Sequence, residues 1–312
     1  MTDPEVQIIV RTTASVRRRT QLLRAIESIV SQKGVIARPI VVANGRDCDE
    51  TILATLRNRD DVRLIRQVEG DPTLALLTGR RYIDAPYFSV LDDDDEYLPG
   101  ALQVRLRTIN EPEPASVVIT NGYVSTGDST RPLYESMVVF SRSPLNSLVD
   151  HNWLASCGGM FRTSDVPTTI FDLQYKYFEW TAIAFRIAQA GLPIRFIEDT
   201  TFVIHDTADS LSKSVDYVTL APECVGSLAR FPIPAALRYR LLRKKSRLHH
   251  EASKALLETG DLVGAWQHHA QSMAGLYGVG RHAPFTARIG LRTFRFLLAD
   301  GRSLLRRSEP PS

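Results

Sequence analysis

Residues 6–45, VQIIVRTTASVRRRTQLLRAIESIVSQKGVIARPIVVANG, contain two short β-branched runs separated by a segment with helical periodicity. The two runs are residues 6–10 and 39–43. Between them, apolar residues recur as on one face of an amphipathic helix: Leu22, Leu23, Ile26, Ile29 and Val30. Such a unit is typical of parallel strands joined by a crossover helix.

The same alternation continues through the first half of the chain. Further strands are predicted at residues 62–67, 87–91 and 116–120, which makes the fold class α/β. Residues 121–175 are rich in turn formers, and we expect an acceptor-facing insertion there. A second amphipathic helix begins near Trp180 and is ended by Gly191, and a strand follows at residues 194–205.

Charge is distributed unevenly along the 312 residues. Residues 230–312 contain 15 Lys and Arg against 5 Asp and Glu, whereas the preceding residues contain 23 against 30. We therefore predict two domains, a catalytic domain at 1–222 and a basic helical extension at 223–312. The three cysteines are far apart and suit a reducing compartment. The first residues show no basic leader followed by an apolar run, so we expect a cytoplasmic protein.

Four consecutive aspartates, Asp92 to Asp95, follow the predicted strand at 87–91. Open α/β sheets bind ligands beyond the carboxyl ends of their strands. Pro99 suits a first helical position, so a helix is predicted to begin there, directly after the aspartates. Helix capping explains one or two aspartates. Four unit charges repel one another by about 4 kcal/mol per pair at 4 Å and an effective dielectric of 20, which favours a divalent cation with a diphosphate among them.

The stretch LDDDDEYLP, residues 91–99, resembles the DxD-type signature of the family 2 glycosyltransferases of the GT-A fold. Residues 6–32 are similar to the opening strand and helix of that family, and residues 39–45 to its second strand. FEWTAIAFRIAQAG, residues 178–191, resembles a later segment that usually reads Glu-Asp-Trp. The resemblance implies a mixed, Rossmann-like nucleotide-sugar-binding sheet flanked by helices, with a C-terminal helical extension.

The family resemblance also implies roles for the acidic run. Asp92 and Asp94 occupy the DxD positions and would bind Mn²⁺ or Mg²⁺, with Asp94 the more direct ligand, while Asp93 would reach the ribose. Thr12 matches the strand-end threonine of the family. Asn44 stands near the position where the family often has an aspartate that contacts the base, and it would hydrogen-bond a base or ribose.

Two residues nearer the end of the matching region complete the expected site. An inverting transfer needs a base for the acceptor proton, and Glu179 is the candidate. The alternatives are a surface ion pair with Arg186 or an ordinary first-turn acid. Trp180 stands where the family commonly has Asp, which leaves the identity of the base open. His205 matches a histidine or arginine position and would complete the metal shell or contact the diphosphate, unless it is structural.

The expected reaction is inverting transfer of a sugar from a nucleotide-sugar donor to a glycan or lipid-linked acceptor in surface polysaccharide synthesis. A UDP-sugar is favoured over dTDP- or GDP-sugars on family frequency. A nucleotidyltransferase would normally have a glycine-rich basic loop after the first strand, and RTTASVRRR has no glycine. The other alternative is a binding module that has lost its base.

A basic amphipathic segment near the end of the chain suggests where the protein acts. In residues 284–307, Arg288, Arg292, Arg295, Arg302 and Arg306 recur at helical spacing beside a face with Leu291, Phe294, Leu298 and Leu305. Such a helix either lies on the inner face of an anionic membrane or packs on the catalytic domain. No motif in this segment indicates nucleic-acid binding.

Overall fold

The computed structural model describes residues 5–173, 177–206, 214–274 and 276–306. Contacts between Cα atoms divide the chain into two compact units, Met1–Ala208 and Asp209–Ser312. The boundary predicted between residues 222 and 223 falls inside a helix, Val215–Leu228, and the contacts place the division ahead of that helix. A helix is one hydrogen-bonded unit, so the break falls in the segment before it.

The first unit is built on one mixed sheet. In the described residues the strands are β1 Glu5–Thr12, β2 Ile36–Asn44, β3 Arg63–Gln67, β4 Tyr87–Asp92, β5 Glu96–Tyr97, β6 Val117–Ser125, β7 Thr130–Pro132, β8 Gly159–Arg162 and β9 Ile194–His205. Their order is β3-β2-β1-β4-β8-β6-β9-β5, and β7 pairs with β6. The β3-β2-β1-β4 half is parallel, while β8 is antiparallel to both of its neighbours.

Helices cover the sheet, and several begin where the sequence provides a cap. The helices of this unit are α1 Arg19–Val30, α2 Glu50–Arg57, α3 Pro72–Arg81, α4 Ala101–Ile109, α5 Val138–Ser141, α6 Pro144–Ser147 and α7 Glu179–Gln189. The side chains of Asp49 and Asp71 accept hydrogen bonds from backbone amides in the first turns of α2 and α3. Gly191, at a φ of +69°, follows α7 as predicted.

The segment after the aspartates differs from the prediction. The short strand β5 follows them and pairs with β9, so the run does not lead directly into a helix. Pro99 is not the first residue of a helix, because α4 begins at Ala101. The amide of Ala101 donates to the carbonyl of Leu98 at 3.1 Å, and Gly100 has a φ of +80°. Proline followed by a glycine at positive φ is the signature of a type II turn, which explains the later start.

The turn-rich region at 121–175 contains a sheet strand that the sequence pattern did not indicate. Strand β8 has four residues, with Gly159 at its start, and it pairs with both β4 and β6. Gly159 is required by packing, since a Cβ there would lie 2.8 Å from the ring of Phe161. Strand β6 also continues to Ser125, beyond the predicted end at residue 120.

The core of the first unit lies between the sheet and its helices. Leu22, Ile26 and Ile29 of α1 are fully buried as predicted, together with Ala25, whereas Leu23 and Val30 of the predicted face are half-buried. The fully buried residues pack with strand residues such as Ile8 and Val41 in one hydrophobic cluster. Burial of this apolar surface fixes the strands, and with them the side chains at the carboxyl ends of β1, β2 and β4.

The second unit is helical. Its described helices are α8 Val215–Leu228, α9 Ala235–Thr259, α10 Leu262–Ser272, α11 Leu276–His282 and α12 Phe285–Arg306. Helices α9 and α10 meet at Gly260, at a φ of +89°, and at Asp261, which caps α10. None of the described helices combines the length and the apolar character that a membrane span requires.

Candidate active site

The carboxyl ends of β1 and β4 bring the predicted site residues to one edge of the sheet. Arg11 of β1 lies directly opposite Asp92 of β4 in the parallel register, and Thr12 lies opposite Ala43 of β2. Because the register is set by the buried strand residues, these polar side chains are held side by side. The edge therefore gathers charge from segments about eighty residues apart in sequence.

Arg11 joins two of the predicted functional carboxylates. Its Nη2 lies 2.7 Å from Asp92 Oδ1, and its Nη1 lies 3.0 Å from Glu179 Oε1. Its guanidinium also lies 5.8 Å from the centroid of the Trp180 ring. Burial alone would lower the pKa of Arg11, but the attraction of Asp92 and Glu179 raises it, so the side chain stays charged. Glu179, the first residue of α7, is thus held beside the acidic run.

Arg18 forms a second bridge, between Asp93 and Asp94. It belongs to a 3₁₀ turn, Val16–Arg18, that precedes α1. Its Nη1 donates to Asp93 Oδ1 at 3.0 Å and to Asp94 Oδ2 at 2.7 Å. Thr12 Oγ1 donates to the other oxygen of Asp93 at 2.6 Å. The predicted repulsion within the run is therefore relieved in this structure by two arginines of the β1-α1 segment.

The neighbouring aspartates have different proton affinities. Burial raises the pKa of Asp93 to about 6, against the opposing attraction of Arg18. Burial would also raise the pKa of Asp92, but the ion pair with Arg11 outweighs it and lowers that pKa. One carboxylate of the run is therefore firmly ionised at neutral pH, while its neighbour titrates close to neutrality.

The fourth aspartate faces a different set of partners. Asp95 Oδ1 accepts from the backbone amide of His205 at 3.1 Å, and Oδ2 accepts from Cys157 Sγ at 3.7 Å. Burial, with repulsion from Asp92 and Asp94, raises the pKa of Asp95 well above its usual range. Asp95 therefore ties β9 to the turn after β4.

His205 and Asn44 are placed at the rim of this arrangement. The imidazole Nε2 of His205 lies 3.0 Å from Glu96 Oε1, while its backbone amide binds Asp95. The buried Asn44 donates from Nδ2 to the carbonyl of Thr12 at 2.9 Å, which ties the ends of β1 and β2 together. The structure thus brings Thr12 and Asn44 into contact, and it connects His205 to the acidic run through Asp95.

A cavity opens beside Asn44. It has a volume of about 450 Å³ and lies between the loops that follow β2 and β3; its lining residues are Gly45, Arg46, Asp47, Val68, Glu69 and Gly70. Gly45 has a φ of +102°, and a Cβ at Gly70 would lie 3.7 Å from the Cα of Gly45, so the two loops pass close together. Cavities of this size hold small ligands.

Backbone strain is concentrated next to these groups. Among the described residues, the non-glycine positions with positive φ are Ala14, at 46°, and Phe178, at 62°. Ala14 lies two residues after Thr12, whose Oγ1 accepts a hydrogen bond from the Ala14 amide at 2.9 Å. Phe178 directly precedes Glu179. Left-handed backbone at such residues costs of order 1–3 kcal/mol each and clusters at functional sites.

The acidic run suits a metal in the chemistry of its donors. Asp92 and Asp94 offer carboxylate oxygens, which are the ligands that Mg²⁺ and Mn²⁺ prefer. In the arrangement described, Arg11 and Arg18 contact these oxygens. Within the described ranges, no group of three or more His, Cys, Asp or Glu side chains converges in a way that could hold a metal ion.

Two site residues were not predicted from the sequence. Arg11 and Arg18 lie in RTTASVRRR, whose basic character is visible, but their partners lie far away in sequence. The alternative role for Glu179, a pair with Arg186, is replaced by the pair with Arg11, because Arg186 Nη1 donates to the carbonyls of Thr169 and Asp172 at 2.8 Å each.

Comparison with known proteins gives this geometry a family context. Residues 12–165 match the sequence model of Glycosyl transferase family 2. The uncharacterized glycosyltransferase RP339 of Rickettsia prowazekii (strain Madrid E) is 26% identical over 162 residues, which cover 47% of this chain and 51% of the relative. The chain therefore spans about half the length of that curated relative.

Solved structures share the fold at low sequence identity. TarS 1–349 of S. aureus in complex with UDP-GlcNAc matches with a TM-score of 0.55 at 17% identity, over 79% of this chain and 72% of that chain. Another structure of TarS 1–349 matches with a TM-score of 0.57 at 16% identity, over 86% and 81% respectively. With the mixed sheet described above, the solved structures show a GT-A-like fold, and residues 12–165 of the chain are similar to the glycosyl transferase family 2 domain.

Proposed function

We propose that this chain transfers a glycosyl group from a nucleotide-sugar donor to an acceptor hydroxyl with inversion at the anomeric carbon. One observation carries the proposal. Arg11 binds Asp92 at 2.7 Å and Glu179 at 3.0 Å. A carboxylate proposed to lie near the donor diphosphate and a candidate base are thus held next to each other at the edge of the sheet. Inverting displacement requires a leaving group and a base on opposite sides of one carbon.

The donor would lie along the carboxyl ends of β1, β2 and β4. The cavity between Gly45 and Gly70 has the size for a nucleoside, and Asn44, which binds the carbonyl of Thr12, directly precedes Gly45 of its lining. Asp93 would face the ribose. A uridine nucleotide is the first candidate, because solved TarS structures contain UDP and UDP-GlcNAc. A dTDP- or GDP-sugar is the alternative, since the Asn44 position lacks the acidic residue expected for the family.

The leaving diphosphate would be stabilised at the acidic run. Asp92 and Asp94 would hold Mn²⁺ or Mg²⁺, which would supply Lewis-acid stabilisation of the departing charge. A cation bound through Asp94 Oδ2 would displace Arg18 from that oxygen. The guanidinium of Arg18 is then free to pair with phosphate oxygens, a partner for which its planar donors are suited. His205 as a third ligand remains a prediction, because its imidazole contacts Glu96.

Glu179 would accept the proton of the acceptor hydroxyl. Its carboxylate is 15% exposed and is oriented by Arg11, which keeps one oxygen engaged and leaves the other for the hydroxyl. Trp180 lies beside the same guanidinium and limits the space around it. The acceptor class that we propose is a glycan or a lipid-linked glycan in surface polysaccharide synthesis, as the family resemblance implies.

Donor turnover tests the transferase proposal. Nucleotide release from a panel of UDP-, dTDP- and GDP-sugars should depend on Mn²⁺ or Mg²⁺ and on acceptor. Asp94→Ala should lower turnover and metal-dependent nucleotide binding together, about a hundredfold or more in rate. Glu179→Gln should remove transfer but keep nucleotide binding. Asp60→Ala, at an exposed acidic position of the same unit before the start of β3, is the matched control.

The two rival functions give different results in the same assays. Nucleotide binding without transfer across donors and acceptors would identify a non-catalytic module. Release of pyrophosphate from a nucleoside triphosphate and a sugar phosphate would identify a nucleotidyltransferase. Unchanged turnover and unchanged binding in Asp94→Ala would reject the metal assignment.

We also propose that helix α12 contacts an anionic membrane, which would place the protein at the inner membrane face. The helix packs through the buried Ile289, yet Leu291, Phe294 and Leu298 are about half exposed. Arg288, Arg292 and Arg295 are exposed beside them. The side chains of Arg302, Leu305 and Arg306 fall outside the described residues. An exposed apolar face with flanking cations suits interfacial binding.

Vesicle sedimentation tests the membrane proposal. The full chain should sediment with vesicles of phosphatidylglycerol and phosphatidylcholine at low salt, and less with phosphatidylcholine alone. Phe294→Asp should weaken sedimentation about tenfold, whereas Val263→Asp, at an exposed apolar position of α10, should not. Equal sedimentation of both variants would contradict a role for α12.

A further inference from the structure

The helical unit contains a cavity that the transferase site does not use. Its volume is about 760 Å³, within the range of small-molecule sites; residues that line it include Tyr239, Leu242, Arg243, Lys245, His249 and Tyr277. These residues come from α9 and α11, and Glu223 of α8 and Gln271 of α10 complete the wall. The cavity is thus formed entirely within the second unit.

The cations of this cavity are prearranged. Arg243 has its guanidinium carbon 4.3 Å from the centroid of the Tyr277 ring and 5.8 Å from that of Tyr239. Across the described part of the chain, no carboxylate lies within ion-pair distance of Arg243. Lys245 lies against the backbone of Gly226, where a Cβ would meet its Nζ at 3.1 Å, and its Nζ is 3.5 Å from Glu223 Oε1.

A buried polar atom in the wall points to a missing partner. His249 is 2% exposed, and its Nε2 has no hydrogen-bond partner among the residues that the structure describes. Glu223 Oε1 lies 4.0 Å from that nitrogen, beyond hydrogen-bond distance. A buried nitrogen without a partner costs free energy, which a ligand with a polar group can recover.

We propose that this cavity binds an amphiphilic organic anion, a phosphate monoester or a carboxylate carried on an apolar body. The anionic group faces Arg243 and Lys245, and the apolar body lies along Tyr239, Leu242 and Tyr277. The wall contains two cationic side chains, Arg243 and Lys245, and one acidic side chain, Glu223, so its net positive charge favours an anionic ligand. The apolar surface of the two tyrosines and the leucine favours an amphiphile over a free inorganic ion.

Isothermal titration calorimetry of the full chain tests the proposal with four probes: octyl phosphate, octanoate, octanol and inorganic phosphate. At least one amphiphilic anion should bind about tenfold or more tightly than both octanol and inorganic phosphate. The better of octyl phosphate and octanoate identifies the anionic group. If neither amphiphilic anion binds, or if octanol binds as tightly, the proposal is overturned.

Variants separate the cavity from a general effect of charge. Arg243→Ala should weaken binding about tenfold, whereas Arg247→Ala, at an exposed position of the same helix outside the wall, should leave it unchanged. Ala274→Trp keeps every charge but fills the cavity, so it should abolish binding with an unchanged thermal melting curve. Equal weakening by both arginine substitutions, or full binding in Ala274→Trp, would contradict the site.

Discussion

Replacing Arg18 by alanine tests how the acidic run is stabilised in the absence of ligands. The substitution removes the guanidinium whose Nη1 binds Asp93 at 3.0 Å and Asp94 at 2.7 Å. The backbone of the 3₁₀ turn should be retained, because the substitution leaves intact the hydrogen bond from the backbone amide of residue 18 to the carbonyl of Ser15. The variant therefore isolates the electrostatic role of one side chain.

The magnitude follows from the geometry. Hydrogen bonds between charged groups contribute roughly 1.5–3 kcal/mol each. Here one nitrogen makes both bonds, and the side chain of Arg18 is 29% exposed, so the two contributions are not independent and solvent screens them. The free energy of unfolding should fall by about 2 kcal/mol at about pH 8, where Asp93 is ionised.

The pH dependence gives the sign of the effect. Asp93 has a folded pKa of about 6, above its unfolded value, so its contribution to stability is present at low pH and is lost as the pH rises through about 6. Without Arg18 the ionised form is less favoured, which makes that loss larger. Near pH 5 Asp93 is largely protonated in both proteins, and the cost of the substitution should fall to about 1 kcal/mol.

Urea unfolding of the full chain in metal-free buffer, at about pH 5 and about pH 8, measures both values. Arg17→Ala is the control, because Arg17 is an exposed neighbour in the same turn. Its substitution should change stability by less than about 0.5 kcal/mol. A cost for Arg18→Ala that equals the control, or that is larger at the lower pH, would refute the reasoning.

Three further outcomes concern packing and burial. Gly79→Ala should destabilise by about 1–3 kcal/mol in urea, since a Cβ there would lie 2.4 Å from Ile9 Cγ2; a neutral result would contradict that close contact. Arg105→Met should cost about 3 kcal/mol, because the fully buried guanidinium donates to Cys157 O and Thr201 Oγ1 at 2.6 Å each; a gain in stability would show that the buried charge is unfavourable. Burial lowers the pKa of His249 to about 4, so the unfolded chain takes up a proton at this residue before the folded chain does. The free energy of unfolding should therefore fall by about 2 kcal/mol as the pH falls from about 6.5 toward 4. A melting temperature by circular dichroism that does not change between about pH 7 and 5 would contradict this.

Strands β1, β2 and β4 of the parallel half were predictable because most of their residues are buried, on both faces of the sheet. The runs at 6–10, 39–43 and 87–91 are mostly apolar and contain β-branched or aromatic residues, and each lies in a strand whose ends are within a few residues of the prediction. Strands β5, β7 and β8 were missed because two, three and four residues carry too little pattern. Their pairing depends on β9, β4 and β6, which is tertiary information.

The site was predictable in its acids but not in its cations. Asp92 to Asp94 and Glu179 stand out by motif and by position at element ends. Arg11 and Arg18 have no such mark, because a surface loop is often basic and the pairing register that places Arg11 opposite Asp92 is invisible in the sequence. The turn at Pro99 and Gly100 could have been predicted from the Pro-Gly pair itself.

The most direct test is the affinity for UDP, dTDP and GDP with and without Mn²⁺, measured by calorimetry. The proteins compared are the wild-type chain, the double variant Asp92→Ala with Asp94→Ala, and the control Asp60→Ala. At least one nucleotide should bind more tightly with Mn²⁺, by about tenfold or more, and this gain should vanish only in the double variant. If the double variant keeps the gain, or if no nucleotide binds the wild type, the acidic edge of the sheet is not a nucleotide-sugar site.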